Sequence, residues 1–244
     1  MIPAALAALL QQAKRIAVLT GAGVSAESGI PTFRDALSGL WSSFRVEDLA
    51  TPEAFARNPG LVWRWYRARR HTIAEARPNP GHYALAAMQA RVPHFALITQ
   101  NVDGLHERAG STDVIELHGS IARVKCSGCD QVVREYADTD DVPSCPDCAG
   151  LLRPDVVWFG ELLPAAAMER AQRAACEADV FLSVGTSNIV EPAASLPRTA
   201  ARSGATVIVV NPSREGQREG RNVHFVLGPA GEVLPEMVRG FVGG

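Results

Sequence analysis

The sequence predicts an α/β fold: a mostly parallel sheet with helices on both faces, plus a smaller appended domain. Three observations predict it. Short apolar, β-branched runs recur at 16–20, 94–99, 114–117, 156–159, 180–184, 206–210 and 223–227. Between most of them lie stretches of helical periodicity or high helix propensity, at 81–91, 164–177 and 191–203, with a helical tail at 231–242. Strands alternating with helices imply parallel neighbours buried on both faces. Finally, two segments break the alternation, 36–77 and 123–153. A chain of 244 residues has room for one large α/β domain and such an appendage.

Taken in order, residues 1–15 read as a short amphipathic helix in which Lys14 and Arg15 follow the apolar part, so a secretory leader is not expected. The segment 36–77 has no strand-like run and places aromatics and arginines at helical spacing, notably LVWRWYRARR at 61–70. The segment 123–153 is polar and rich in Cys, Asp and Pro. Neither could build a large core alone, so the two are expected to pack together. Hydrophobic residues at 47%, charged residues at 20% and a formal net charge of -2 exclude a disordered chain and argue against broad binding of nucleic acid or anionic membranes. No apolar stretch approaches the roughly 20 residues needed to span a bilayer. A cytoplasmic protein is expected, with monomer a plausible state.

The candidate chemistry sits just after strands. GAGVSAESG follows 16–20, Gln100-Asn101-Val102-Asp103 follows 94–99, and His118-Gly119-Ser120 follows 114–117. Gly185-Thr186-Ser187 follows 180–184, and Asn211-Pro212-Ser213 follows 206–210. In an open parallel sheet the carboxyl ends of the strands share one edge and ligands bind there, so these loops should converge on one cleft. Gly21, Gly23 and Ala26 fit the glycine pattern that brings a pyrophosphate close to backbone at a helix N-terminus. An ordinary dehydrogenase would continue with a second strand ending in an acid; this chain gives Ile30-Pro31-Thr32-Phe33-Arg34-Asp35 and then the helical insertion. A short-chain dehydrogenase would need Tyr-x-x-x-Lys, and neither Lys14 nor Lys125 has a tyrosine four residues before it.

Cys126-x2-Cys129 and Cys145-x2-Cys148 have the spacing of a four-thiolate zinc site, closed and therefore structural. Two disulfides or a redox pair are the alternatives. Cys176, left over on an apolar helix, is expected to be a buried thiol. Tyr66 and Arg69, three apart, share a helix face and could receive a carboxylate. The competing reading is a solvated basic face of Arg64, Arg67, Arg69 and Arg70 beside a core tyrosine.

The motifs GAGVSAESGIPTFRD (21–35), QNVDGLHERAG (100–110), IELHGS (115–120), the paired CxxC, VVWFGE (156–161), GTS (185–187) and Asn211 occur in this order. The sequence resembles, over nearly its whole length, the sirtuin family of NAD-dependent protein-lysine deacylases. The resemblance implies a Rossmann-like NAD-binding domain from 1–35, 78–121 and 154–244. It also implies a small domain from a helical module, 36–77, and a zinc-binding module, 122–153. It implies that the acyl-lysine amide oxygen attacks the ribose carbon bearing nicotinamide, that His118 then activates a ribose hydroxyl as general base, and that the acyl group ends on ADP-ribose.

It further implies that Gly21, Ala22, Gly23, Ser25 and Ala26 line the phosphates and ribose, and that Phe33 and Arg34 lie on the loop covering NAD. Gln100, Asn101 and Asp103 would contact nicotinamide and ribose. Gly185, Thr186 and Ser187 would meet phosphate or ribose, Asn211 the adenosine ribose, and Ala230 the adenine. Val157, Phe159, Gly160 and Glu161 would offer the edge on which an acylated protein substrate adds its backbone. The Tyr66–Arg69 pair, shortly before Pro78-Asn79-Pro80-Gly81-His82, is similar to that of the desuccinylase and demalonylase subclass, which implies succinyl- and malonyl-lysine over acetyl-lysine. The runner-up function is a protein ADP-ribosyltransferase at the same NAD site. A non-catalytic NAD sensor is disfavoured because His118 and the QNVD set are present.

Overall fold

The computed structural model describes residues 2–31, 44–214, 220 and 222–239. Six strands form one parallel sheet: β1 (Arg15–Thr20), β2 (His94–Thr99), β3 (Ile115–Glu116), β7 (Val180–Val184), β8 (Thr206–Asn211) and β9 (Val223–Leu227). Their order across the sheet is β3-β2-β1-β7-β8-β9. That is the order of a doubly wound dinucleotide-binding sheet, with its reversal between β1 and β7. The remaining three strands, β4 (Gly119–Cys126), β5 (Val132–Val133) and β6 (Leu152–Val156), form a small antiparallel sheet in the order β5-β4-β6.

Every residue of β7, and all but the first of β1, is buried, because helices cover both faces. The two-residue period of a strand divides these side chains between two cores. Ile16, Val18, Leu182 and Ile208 face α1 (Ala4–Gln12), α4 (Pro80–Gln89) and α8 (Ala230–Arg239). Ala17, Leu19, Phe181 and Val207 face α6 (Ala165–Glu177) and α7 (Leu196–Arg202). This is why the strands read as unbroken apolar runs rather than as alternating ones.

Local chemistry starts the helices. In α2 (Pro52–Arg57) the Thr51 hydroxyl accepts the Ala54 N–H, and in α3 (Pro59–Glu75) Asn58 accepts that of Leu61. Both have proline at the first helical position, where no N–H is needed. α3 packs across the small sheet: its Trp63 joins Val124, Cys126, Val133, Cys145 and Leu152 in a separate core. The Trp63 indole N–H donates to the Thr139 carbonyl at 2.8 Å, and Arg67 holds Asp138 and Asp140. The basic residues expected on a solvated face are thus partly engaged, and Arg70 is buried against the Trp63 and Tyr136 rings.

Three expectations are corrected. The run 156–159 is not a strand of the main sheet. β6 ends at Val156 in the small sheet, and the run is apolar because Val156 and Trp158 enter the core beneath α3. Cys176 is exposed, because the fully buried stripe of α6 is Ala171 and Ala175, and the next residue turns about 100° away from it. The glycine loop after β1 does not open an α-helix. It makes two short 3₁₀ turns, Ala22–Val24 and Ala26–Ser28, ended by Gly29 at a left-handed φ of 77°. Among the described residues no helix is long and apolar enough to cross a membrane.

Candidate active site

At the β1/β7 reversal the two following loops touch. Gly21 N–H donates to the Val184 carbonyl at 3.0 Å and Gly23 N–H to that of Gly185 at 2.8 Å. Gly185 has a φ of +59°, and a Cβ there would lie 2.3 Å from the Val24 nitrogen, so a side chain is excluded. Around this contact Gly21, Ser25 and Thr186 are buried, while Ala22, Ala26 and Ser187 face solvent.

The loops after β1 and β2 meet through a dense polar cluster. Ser25 Oγ donates to Asp103 Oδ2 at 2.8 Å. Asn101 Nδ2 donates to the Gly21 carbonyl and to Ser25 Oγ, each at 3.1 Å. Asp103 Oδ1 accepts the Leu105 N–H at 2.9 Å, at the start of α5 (Leu105–Arg108). Gln100 Nε2 reaches Thr186 Oγ1 at 3.0 Å, and Asn211 Nδ2 donates to the Thr186 carbonyl at 2.8 Å. Residues drawn from β1, β2, β7 and β8 therefore converge at one sheet edge. Pro212 does not disturb this, since Asn211 acts here through its side chain.

His118 follows β3 at the same edge. Its Nδ1 lies 2.8 Å from the Gln100 carbonyl oxygen. A carbonyl can only accept, so Nδ1 carries the hydrogen and the neutral ring keeps its lone pair on Nε2. Burial lowers the pKa of His118 below the ordinary imidazole value, and the bond to Gln100 opposes this only in part. A neutral ring with a free lone pair can act as a base. Gly119 next to it has a φ of +75°, and a Cβ would fall 2.2 Å from the Asp155 carbonyl oxygen. The His118 carbonyl accepts the Val157 N–H at 3.0 Å, tying this loop to the VVWFGE segment.

That segment is extended for a few residues and then turns. Phe159 N–H donates to the Ala50 carbonyl, and Phe159 and Gly160 are exposed. The Glu161 carboxylate is held by Arg153 and by the Trp158 N–H at 2.8 Å, so it shapes the turn. Arg153 lies over the Trp158 ring, 3.3 Å from its centroid. The Trp158 indole N–H donates to the Tyr66 hydroxyl at 3.0 Å. Tyr66 is fully buried, and burial pushes its pKa up, so the hydroxyl keeps its hydrogen. Arg69 lies 5.1 Å from the Trp65 ring centroid, and burial lowers its pKa, opposed by Tyr66 and Asp103. A half-buried guanidinium thus stands beside a buried hydroxyl, within electrostatic reach of the polar cluster.

The ligand atoms of Cys126, Cys129, Cys145 and Cys148 all lie within 4.8 Å of one another. The Cys126–Cys148 and Cys129–Cys145 sulfurs are 3.4 and 3.9 Å apart. A tetrahedral ion with bonds of about 2.3 Å sets its thiolates roughly 3.8 Å apart, so the four sulfurs fit one. All-sulfur donors favour zinc over hard cations. Phe33 and Arg34 lie outside the described residues. Ala230 is buried at the start of α8, where its carbonyl packs against Gly81.

Some residues at the site carried no distinct sequence signal. Glu27, on the glycine loop, accepts the Gly231 N–H at 2.7 Å and so joins the loop to the start of α8. Asn79 caps α4 and donates to the Val24 carbonyl at 2.8 Å. His82 sits 3.4 Å from Ser25 Oγ, and its ring centroid is 4.9 Å from that of His106. Burial drives His82 down to about 4, against the pull of Asp103, and His106 down to about 3. In the unfolded chain both titrate near 6.5. Between about pH 6.5 and about pH 4 the unfolded chain therefore binds more protons, and stability must fall as pH falls through that window. Each ring contributes roughly 1.4 kcal/mol per pH unit there. We expect urea midpoints to drop between about pH 7 and about pH 5, and to drop less in His106→Phe. An equal drop in that variant contradicts the assignment to these rings.

A crevice at the reversal of a doubly wound sheet, floored by glycines and walled by amides, a carboxylate and a histidine, is the architecture of a dinucleotide-binding α/β protein. The Sir2 family model matches residues 21–192, more than half of the chain, and the chain belongs to that family. It is 52% identical over 240 residues to the NAD-dependent protein deacylase 1 of Pseudomonas aeruginosa, covering 95% of this chain and 96% of that protein. It is also 52% identical over 231 residues to the NAD-dependent protein deacylase 2 of Pyrobaculum aerophilum, covering 94% and 92%. A solved Sir2 homologue–NAD complex superposes with a TM-score of 0.90 at 44% identity, over 99% of this chain and 94% of that one. Sir2 bound to acetylated peptide superposes with a TM-score of 0.83 at 31% identity, over 98% of each chain.

Proposed function

We propose that this chain is an NAD-dependent protein-lysine deacylase that prefers succinyl- and malonyl-lysine and removes acetyl groups more weakly. The observation that carries the catalytic part is His118, whose Nδ1 hydrogen is fixed on the Gln100 carbonyl and whose Nε2 is left to take a proton. NAD supplies the electrophilic ribose carbon and the hydroxyls that receive the acyl group. Gln100, Asn101 and Asp103 hold its nicotinamide and adjoining ribose, and Ser25, bonded to Asp103, lines the ribose beside them. Gly21, Ala22, Gly23, Ala26, Gly185, Thr186 and Ser187 take the phosphates and ribose, and Asn211 and Ala230 the adenosine end. Phe33 and Arg34, by the motif that carries them, cover the bound NAD. The acylated peptide runs along Val157, Phe159 and Gly160, with Glu161 setting the shape of that edge.

The preference for acidic acyl groups is supported by the Tyr66–Arg69 pair. The Tyr66 oxygen already accepts from Trp158, so its own hydrogen remains to be donated. The neighbouring guanidinium is half-buried and its charge partly desolvated, which makes an incoming carboxylate a good partner and an acetyl methyl a poor one. The division into an NAD-binding domain (1–35, 78–121, 154–244) and a small domain (36–77, 122–153) belongs to the same proposal. The test is nicotinamide release from NAD with succinyl-, malonyl- and acetyl-lysine peptides. Release that depends on the acylated peptide is expected; release at the same rate without peptide contradicts the reading.

The four cysteines are proposed to hold one structural zinc. The core they close is small, Trp63 with a few aliphatics, and cannot stabilise the module alone. The module also grips α3, which carries Tyr66 and Arg69. Chelation is therefore expected to lower Tm and activity together. Metal analysis giving less than half an equivalent in fully active protein contradicts the site.

A further inference from the structure

Behind the polar cluster runs a second line of hydrogen bonds, from α5 to the main chain of Asn101. His106 is 1% exposed, and its Nε2 lies 2.9 Å from Thr20 Oγ1. Thr20 Oγ1 donates to Thr99 Oγ1 at 2.9 Å, and Thr99 Oγ1 accepts the Asn101 N–H at 3.0 Å. Thr20 and Thr99 end β1 and β2 and are register partners. Thr20 has one hydroxyl hydrogen. With that hydrogen directed to its acceptors Thr99 Oγ1 and, at 3.4 Å, the Ile98 carbonyl, Thr20 accepts from His106, and His106 then carries its hydrogen on Nε2. His106 Nδ1 is then a bare acceptor, buried and without a hydrogen-bond partner among the described residues. The ring also packs against His82, which reaches the Ser25–Asp103 pair.

A buried imidazole with one nitrogen unsatisfied costs stability that an apolar ring would not. The nitrogen that is satisfied points to a task for it. We propose that His106 is a positioning residue for the NAD-dependent reaction: through Thr20 and Thr99 it fixes the backbone of Asn101, and through its ring it seats His82 against Ser25 and Asp103. The inference rests on the deacylase reading and extends it to a residue that touches neither substrate. Burial keeps the ring neutral, so the donor to Thr20 is a plain N–H and the line does not carry charge into the site.

The test is steady-state kinetics and Tm for the full chain and for His106→Phe, Thr20→Val and the double variant. Phenylalanine keeps a ring against His82 without the N–H, and valine keeps the shape of Thr20 without the hydroxyl. Loss of one buried neutral hydrogen bond should lower kcat/KM for NAD about three- to tenfold in each single variant, with KM for the acylated peptide unchanged. The double variant should be no worse than the weaker single, because both break the same line. A variant that loses Tm but keeps the wild-type kcat/KM for NAD overturns the proposal, as does an additive double. Should His106→Phe not fold, Thr20→Val decides alone: a lowered kcat/KM for NAD supports the proposal, and a wild-type value overturns it. Absence of peptide-dependent nicotinamide release in the wild type overturns the deacylase reading and this inference with it. Active wild type with indistinguishable variants overturns the inference only.

Discussion

Replacing His118 with alanine is expected to abolish deacylation while leaving the fold and NAD affinity in place. The side chain donates from Nδ1 to the Gln100 carbonyl, and Nε2 is its reactive atom. The substitution removes one hydrogen bond at the sheet edge and the only function that needs a base. Proton transfer by a positioned group is typically worth about 10²–10⁴-fold, and a loss of that size should appear in kcat. NAD affinity, set by the glycine loop and the amide cluster, should change by less than about threefold, within the few tenths of a kcal/mol typical of an interaction lost outside the binding contacts. Because burial lowers the pKa of His118, the acid limb of the wild-type kcat/KM profile should lie below the ordinary imidazole value. Near-wild-type turnover in His118→Ala would remove the proposed mechanism.

Replacing Arg69 with methionine is expected to reverse the acyl preference. Methionine keeps much of the stem that packs beside Trp65 and loses the charge. A hydrogen bond to a charged group contributes about 1.5–3 kcal/mol, so kcat/KM for succinyl-lysine should fall roughly 10- to 150-fold. Deacetylation should hold or rise, since an acetyl group makes no use of the guanidinium charge. Tyr66→Phe should act in the same direction but more mildly. It also leaves the Trp158 indole N–H without its acceptor, at about 1–3 kcal/mol of stability. Tm therefore separates the two variants: Tyr66→Phe should melt lower than Arg69→Met. Equal loss of both activities in Arg69→Met would make the residue structural and remove the basis for the preference.

The main sheet was legible because its central strands are buried on both faces and so leave unbroken apolar runs between helical stretches. The convergence of the strand ends followed from parallel topology alone. What misled was apolar character serving another purpose. Val156 and Trp158 belong to the core beneath α3, so 156–159 imitates a sheet strand. Cys176 lies on a helix whose fully buried positions are only Ala171 and Ala175, a stripe too narrow to include it. The 3₁₀ turns after β1 could not be told from a helix start, because the same small residues suit both.

The residues that support the site were the least legible. His106 meets Thr20 across 86 positions, His82 meets Ser25 across 57, and Glu27 meets Gly231 across 204. No local periodicity encodes such pairings. They exist only because β1 and β2 are neighbours and α4, α5 and α8 pack over their ends. His106 stood in plain view inside QNVDGLHERAG, yet nothing in its immediate sequence distinguishes a buried hydrogen-bond donor from a solvent-facing helix residue.

The most direct measurement is mass spectrometry of the products formed from NAD and a succinyl-lysine peptide by the wild-type protein. Unmodified peptide together with acyl-ADP-ribose and nicotinamide is the predicted result. Peptide or protein gaining the mass of ADP-ribose, with the succinyl group still on lysine, would contradict it and make the chain an ADP-ribosyltransferase.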